Sequence, residues 1–260
     1  MSRKAKRSWN EPQQSNNSRR SNNNNNRNNR HNEQTINLQD HRRYNKSIEL
    51  NPRNPHQRDY IHQLLNPNNS IVFATGPAGT GKTMLAVLAG IKMLKEGDIT
   101  KIIVTRPAVE VDGEKHGFLP GDLNQKMEPW TRPIFDVLHE HYSTKETARM
   151  LEEQILEISP LAFMRGRTFK EAWIIADEMQ NATPSQMKML LTRLGEGSRM
   201  VVTGDVQQTD RREGENGLLD FGRLFKNTDS DFISWTTFEH KDIERHPAVT
   251  EILRIYGDSI

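Results

Sequence analysis

The sequence predicts a three-layer α/β/α domain around a mostly parallel sheet, and three observations carry that prediction. A short apolar stretch, Ile71–Thr75, runs into the glycine-rich Gly76–Thr83 and then into a helical pattern. Four later stretches are apolar on consecutive positions, as strands are when helices cover both faces of a sheet. Helical segments fall between them, the alternation that builds parallel sheets. In such a domain the site lies at the C-terminal ends of the strands.

The elements follow in chain order. Residues 1–46 contain thirteen asparagines, among them NNNNNRNNR from Asn22 to Arg30, and eleven Lys or Arg against three Asp or Glu. A segment this polar cannot bury enough surface to fold and is expected to be a disordered basic tail. The whole chain is only +2, so the domain, residues 47–260, is net acidic. Val72–Leu85 reads VFATGPAGTGKTML, a strand entering a loop that opens a helix. The helix continues with apolar residues at Met84, Leu85, Val87, Leu88, Ile91 and Leu94. The other expected strands are Lys101–Pro107, Ala172–Glu178, Arg199–Asp205 and Phe232–Phe238. Gln125–His141 reads as a helix that Pro129 and Pro133 should bend or interrupt. Glu146–Ile158 reads as one amphipathic helix. Thr183 and Pro184 form a cap and first position for a helix from Ser185 to Leu194, ended by Gly195 and Gly197. His246 and Pro247 open a last helix through Tyr256.

Gly76, Pro77, Ala78, Gly79, Thr80, Gly81, Lys82 and Thr83 spell GPAGTGKT, a phosphate-binding P-loop in the strand–loop–helix context that the motif requires. Glycines let successive backbone N–H groups turn toward phosphate oxygens, and the helix N-terminus adds its own. Lys82 is expected to reach the β- and γ-phosphates, and the Thr83 hydroxyl to bind Mg2+. Asp177 and Glu178 follow an apolar strand, which aims them at the loop. Asp177 is placed to hold the metal and Glu178 to orient and polarise a water. Gln208, after the next strand, offers a donor and an acceptor for the γ-phosphate or the water. A water-activating Glu favours hydrolysis over transfer to an acceptor. The N-K-x-D base reader of GTPases is absent. The fold class is therefore a P-loop NTPase with ATP and Mg2+ as cofactors.

Composition excludes other chemistries. There is no cysteine, hence no disulfide or thiolate zinc site. His139 and His141 of HEH fall on different helix faces, a poor metal pair. No apolar run is long enough to span a bilayer, so no membrane partner and a cytoplasmic location are expected. The tail lacks the apolar stretch of a secretory signal.

GPAGTGKT, DEMQ and GDVQQ resemble the nucleotide-binding core of superfamily-1-type helicases. In those, a glutamine upstream of the loop contacts the adenine edge, and Gln57 stands nineteen residues before Gly76. From Asn54 to Tyr256 the sequence is more closely similar to the PhoH family, the phosphate-starvation-inducible ATPases. The stretches that carry this are GPAGTGKT, TRPAVEVDGEKHGFLPGDL, PLAFMRGRTF, IIADEMQNATPSQMKMLLTRLGEGSRMVVTGDVQQTD and DIERHPAV. Met179 stands where the family usually has alanine, and His116 where it has leucine. The resemblance implies ATP binding and hydrolysis, with Gly76–Thr83 as the loop, Asp177 and Glu178 as the acidic pair and Gln208 as the sensor. It also implies a homo-oligomeric ring of six. Members fused to a PIN nuclease act on RNA; no nuclease domain is visible here, so those activities are not carried over. A compact chain with such a tail also suggests a virus-borne branch, working in a host cytoplasm.

RNA or single-stranded DNA is the expected partner. In Thr105–Asp122, Arg106, Lys115 and His116 suit a phosphate backbone, and Phe118 suits base stacking. Arg165 and Arg167 form a second candidate clamp. A hydrolase also needs a cation at the γ-phosphate, which two-domain helicases take from their second domain. Arg245, with Arg223 behind it, is expected to supply it from a neighbouring subunit. Two alternatives stand: a P-loop kinase acting on a small acceptor, and a nucleic-acid-binding assembly protein switched by ATP with little turnover.

Overall fold

The computed structural model describes residues 47–107, 123–208, 216–244 and 247–256. The expected tail, residues 108–122 with the candidate contacts Lys115, His116 and Phe118, and Arg245 lie outside the described residues. Six strands form one all-parallel sheet in the order β3-β2-β4-β5-β1-β6. They are β1 (Ile71–Thr75), β2 (Lys101–Arg106), β3 (Leu156–Pro160), β4 (Ala172–Ala176), β5 (Arg199–Gly204) and β6 (Ile233–Thr237). The helices are α1 (Pro55–Leu65), α2 (Lys82–Glu96), α3 (Leu123–His141), α4 (Thr144–Glu152), α5 (Pro184–Leu191), α6 (Gly217–Phe225) and α7 (Pro247–Tyr256).

The continuous apolar character of the strands has the predicted cause. Val72, Ala74, Ile102, Val104, Trp173, Ile175 and Val201 point to one face, where α1–α3 supply Tyr60, Leu64, Leu85, Ile91, Ile134 and Leu138. Their neighbours Ile71, Phe73, Ile103, Ile174, Met200 and Val202 point to the other, against Met187, Leu190 and Leu218 of α5 and α6. Alternate residues of a strand face opposite ways, so both sets must be apolar. Each large side chain fully buried this way contributes about 1.5–3 kcal/mol. Trp173 also donates from Nε1 to Ala86 O at 3.0 Å, which seats α2, and so the loop before it, on the sheet.

One expectation is corrected. Glu146–Ile158 is not one helix. α4 starts earlier, on a Ser143–Glu146 capping box, and ends at Glu152. Gln154 takes a positive φ of 58° and the chain enters β3. Leu156 and Ile158 satisfy a strand period as well as a helical one, and pairing with β2 decides between them. Of the two outcomes expected at Pro129 and Pro133, bend or interruption, interruption does not occur: α3 is helical from Leu123 to His141. Each proline removes one backbone donor, and burial of Ile134 and Leu138 offsets that loss. Sequence reasoning also passed over α1, although Asn54 and Pro55 repeat the cap-and-proline start of α5; Asn54 Oδ1 accepts from Gln57 N at 2.8 Å.

Candidate active site

β5 lies between β1 and β4, so three strand ends converge: the loop after β1, the acidic pair after β4 and the Asp205–Gln208 turn after β5. A concavity of about 420 Å³ opens there, lined by residues that include Gly79, Lys82, Thr83, Asp177, Glu178 and Gln208. A separate apolar groove of about 530 Å³ between α5 and α6 contains none of these residues.

Thr83 and Asp177, ninety-four residues apart, meet: Thr83 Oγ1 donates to Asp177 Oδ1 at 2.8 Å. Thr203 Oγ1, on the neighbouring strand, donates to the same oxygen. The pairing of Thr105 with Ala176 and Val202 with Ala176 in the sheet fixes Asp177 at this height. A hydroxyl and a carboxylate on adjoining elements are hard oxygen donors that fit Mg2+, which keeps several waters and takes few protein ligands. Among the described residues no cluster of three or more His, Asp or Glu offers another metal site.

Lys82 Nζ lies against its own loop, donating to Gly76 O at 2.6 Å and Pro77 O at 2.7 Å. Burial lowers its pKa from the ordinary lysine value, and the charges of Asp205, Glu178 and Asp177 partly oppose this. A consequence can be measured. Bound phosphate oxygens favour the protonated amine, so a nucleotide complex holds this proton to higher pH than the free protein does. Affinity for ATP is then full below the free-form pKa and falls as pH rises through it, with proton uptake on binding in that interval. Calorimetric titrations at alkaline pH in buffers of different ionisation enthalpy should detect the uptake. Lys82→Arg, which stays charged, should remove it.

Glu178 sits in the left-handed region, φ 53°. Gln180, which sequence reasoning quoted within DEMQ but gave no role, holds it. Buried Gln180 donates from Nε2 to Glu178 Oε2 at 2.5 Å and to Gln208 O at 3.2 Å, and its Oε1 accepts from Asp205 N at 3.1 Å. One amide thus fixes the acidic pair to the sensor turn. The space is filled: a Cβ at Gly204 would lie 2.7 Å from Gln180 Oε1. Gln180 stands two residues from Glu178, but sheet order alone brings Asp205 and Gln208 to it, so the linear sequence carried little signal for its role.

Gln57 lies beneath the loop, only 1% exposed. Its Nε2 donates to Thr80 O at 3.0 Å and its Oε1 accepts from Arg53 N at 2.8 Å. Both ends of the amide are engaged by protein, so in this arrangement Gln57 braces the loop. The segment after β6 does the same from another side, a role the sequence did not signal. Phe238 N donates to Thr75 O at 2.7 Å and Glu244 N to Gly79 O at 3.0 Å. Buried Asp242 pins this segment, accepting from Glu239 N at 2.8 Å and pairing with His56 at 2.6 Å.

Of the expected nucleic-acid contacts, Arg106 ends β2 with Nη2 3.9 Å from Glu178 Oε1. Arg167 pairs through both guanidinium nitrogens with Glu157 and stacks on Phe169 at 4.6 Å. Arg165 and Arg223 are exposed.

A parallel sheet with a strand–P-loop–helix unit, a Thr–Asp oxygen pair and an adjoining carboxylate defines a P-loop nucleotide-binding domain. The particular family follows from comparison: residues 49–257 match the model of the PhoH-like protein family. The chain belongs to that family. It is 50% identical over 201 residues to a PhoH-like protein of Bacillus subtilis, which covers 77% of this chain and 61% of the relative. It is 38% identical over 208 residues to Protein PhoH of Escherichia coli, covering 79% and 57%. The chain thus spans about three-fifths of the length of these curated relatives. Two solved structures are partly similar. The SWI2/SNF2 ATPase core of Sulfolobus solfataricus with double-stranded DNA has a TM-score of 0.37 and 17% identity, covering 62% of this chain and 33% of that one. Domain III of the Thermotoga maritima replication initiation protein DnaA has a TM-score of 0.36 and 13% identity, covering 82% and 75%. Neither likeness is close enough to carry an argument. No helix among the described residues is long and apolar enough to cross a membrane.

Proposed function

We propose that this protein binds ATP with Mg2+ and hydrolyses it, and that hydrolysis is coupled to binding of RNA or single-stranded DNA in the cytoplasm. The observation that carries the reading is the Thr83–Asp177 contact beside Glu178, at the mouth of the loop. Thr83 and Asp177 would hold Mg2+, which would supply charge neutralisation at the phosphates. Loop amides and Lys82 hold the phosphates, Glu178 orients and accepts a proton from water, and Gln208 faces the same space. With no acceptor subsite needed, phosphate release from ATP and Mg2+ alone separates this reading from a kinase. Turnover measured with and without poly(U) and poly(dT) tests the coupling; equal rates throughout would reduce the polynucleotide to a bystander. Removing residues 1–46 should weaken polynucleotide binding and flatten its salt dependence, since eleven positive charges leave with them.

The γ-phosphate cation is proposed to be Arg245, acting across subunits of a six-membered ring. A second reading has support in this chain: Glu244 N is bonded to Gly79 O of the same subunit, and Arg245 is the next residue. Mixing Arg245→Ala with Glu178→Gln protein distinguishes them. A trans arginine restores phosphate release in mixed oligomers, whereas a cis arginine leaves every mixture inactive.

A further inference from the structure

β5 carries near its end a hydroxyl that core packing does not call for. Val201 belongs to the apolar cluster under α1–α3, and two residues on stands Thr203, fully buried and paired across the sheet with Ala74 of the same cluster. A valine would fill the same volume there, whereas a buried hydroxyl costs stability unless it finds a partner. The partner is Asp177. Ala176 pairs with Val202, so the next residues of these two parallel strands stand side by side. Thr203 Oγ1 donates to Asp177 Oδ1 at 2.5 Å, and Thr83 Oγ1 donates to the same oxygen from α2 at 2.8 Å. Both hydroxyls take Oδ1 and neither takes Oδ2. Asp177 lines the nucleotide concavity, but Thr203 does not. Thr203 thus reaches the site through the carboxylate alone.

We propose that Thr203 is a positioning residue for the divalent cation: its hydroxyl fixes the Asp177 carboxylate by Oδ1, so that Oδ2 is presented to Mg2+ or to a water on it. This role rests on the ATP–Mg2+ reading above. The last torsion of an aspartate has broad minima, so a carboxylate held at one point still turns. Thr83 is a poor sole anchor, because its own oxygen is assigned to the cation. Thr203 has no second task. It is part of the sheet, away from the concavity, and a hydrogen bond to an ionised acceptor in a buried place is among the stronger kinds. Groups that orient a metal-holding side chain without touching the metal set how tightly the metal is held.

The experiment uses the full chain. Mg2+ is titrated against protein and a fluorescent ATP analogue, and phosphate release from ATP is measured over the same Mg2+ range. Thr203→Val keeps the volume and removes the hydroxyl. It should raise the Mg2+ concentration for half-maximal binding and for half-maximal release by about tenfold or more. Turnover at saturating Mg2+ should change far less. Thr203→Ala, a second variant without the hydroxyl, should show the same shift, and Thr203→Ser, which keeps it, should return both midpoints close to wild type. Binding of the analogue in EDTA should be unchanged in all three, and thermal melting confirms folding. Hydroxyl-free variants with wild-type Mg2+ midpoints overturn the inference and leave the ATPase reading standing. So does a Thr203→Ser protein as impaired as Thr203→Val, since the methyl group would then be what matters. Equal loss of binding in EDTA, the mark of a merely structural role, overturns it too. A wild-type protein whose nucleotide binding and phosphate release ignore Mg2+ overturns the ATP–Mg2+ reading and the inference with it.

Discussion

Glu178→Gln is expected to bind ATP and Mg2+ with affinity near that of wild type and to lose about 10²–10³ in turnover. The substitution keeps the shape of the side chain and its contact with Gln180, and removes the group that accepts a proton from water. The Thr83–Asp177 contact and the loop are untouched, so ground-state binding has no reason to change. Single-turnover cleavage, read beside titration with a fluorescent ATP analogue, separates the two effects. Cleavage at the wild-type rate would remove Glu178 from the mechanism. Lys82→Ala gives the opposite pattern, with affinity itself lost, because its ammonium meets the phosphates in the ground state as well as the transition state.

Gly76→Ala should be the most damaging small substitution in the loop. Gly76 has φ 134°, a region that side chains rarely adopt, and an added Cβ would stand 2.3 Å from Phe238 O. Backbone strain and overpacking together cost about 2–6 kcal/mol. Relief can come only by moving the chain at Phe238, whose N–H is bonded to Thr75 O. That movement pulls on Glu244 at Gly79 and opens the loop. A lower melting temperature and lost ATP binding are expected together in thermal melts with and without nucleotide. A variant with wild-type melting and binding would show that the close approach at Phe238 is not required.

Which parts were legible follows from how local their causes are. The P-loop was readable because phosphate binding needs particular residues at fixed spacing within eight positions. Buried strands were readable because a sheet covered on both faces disfavours polar residues at either parity, and β1, β2, β4 and β5 fall within a residue or two of their expected limits. β3 was misread because its apolar residues fit both periods. It is an edge strand, and its identity comes from pairing with β2, fifty-four residues earlier.

The sequence by itself determined the chemical inventory: a loop for phosphates, a hydroxyl and carboxylate suited to a divalent cation, a second carboxylate beside the first, and a basic asparagine-rich segment before an acidic domain. Each is a property of residue type and short spacing. Only the tertiary structure decided their relations. It placed β5 between the loop strand and the acidic strand, which lets buried Gln180 join Glu178 to the Gln208 turn. It buried Gln57 beneath the loop, with Nε2 on Thr80 O, and it brought Arg106 at the end of β2 to 3.9 Å from Glu178. The physical reason is strand order. Residues distant in sequence meet where strands adjoin, and adjacency in a sheet is chosen by the packing of the whole core, which no local pattern encodes.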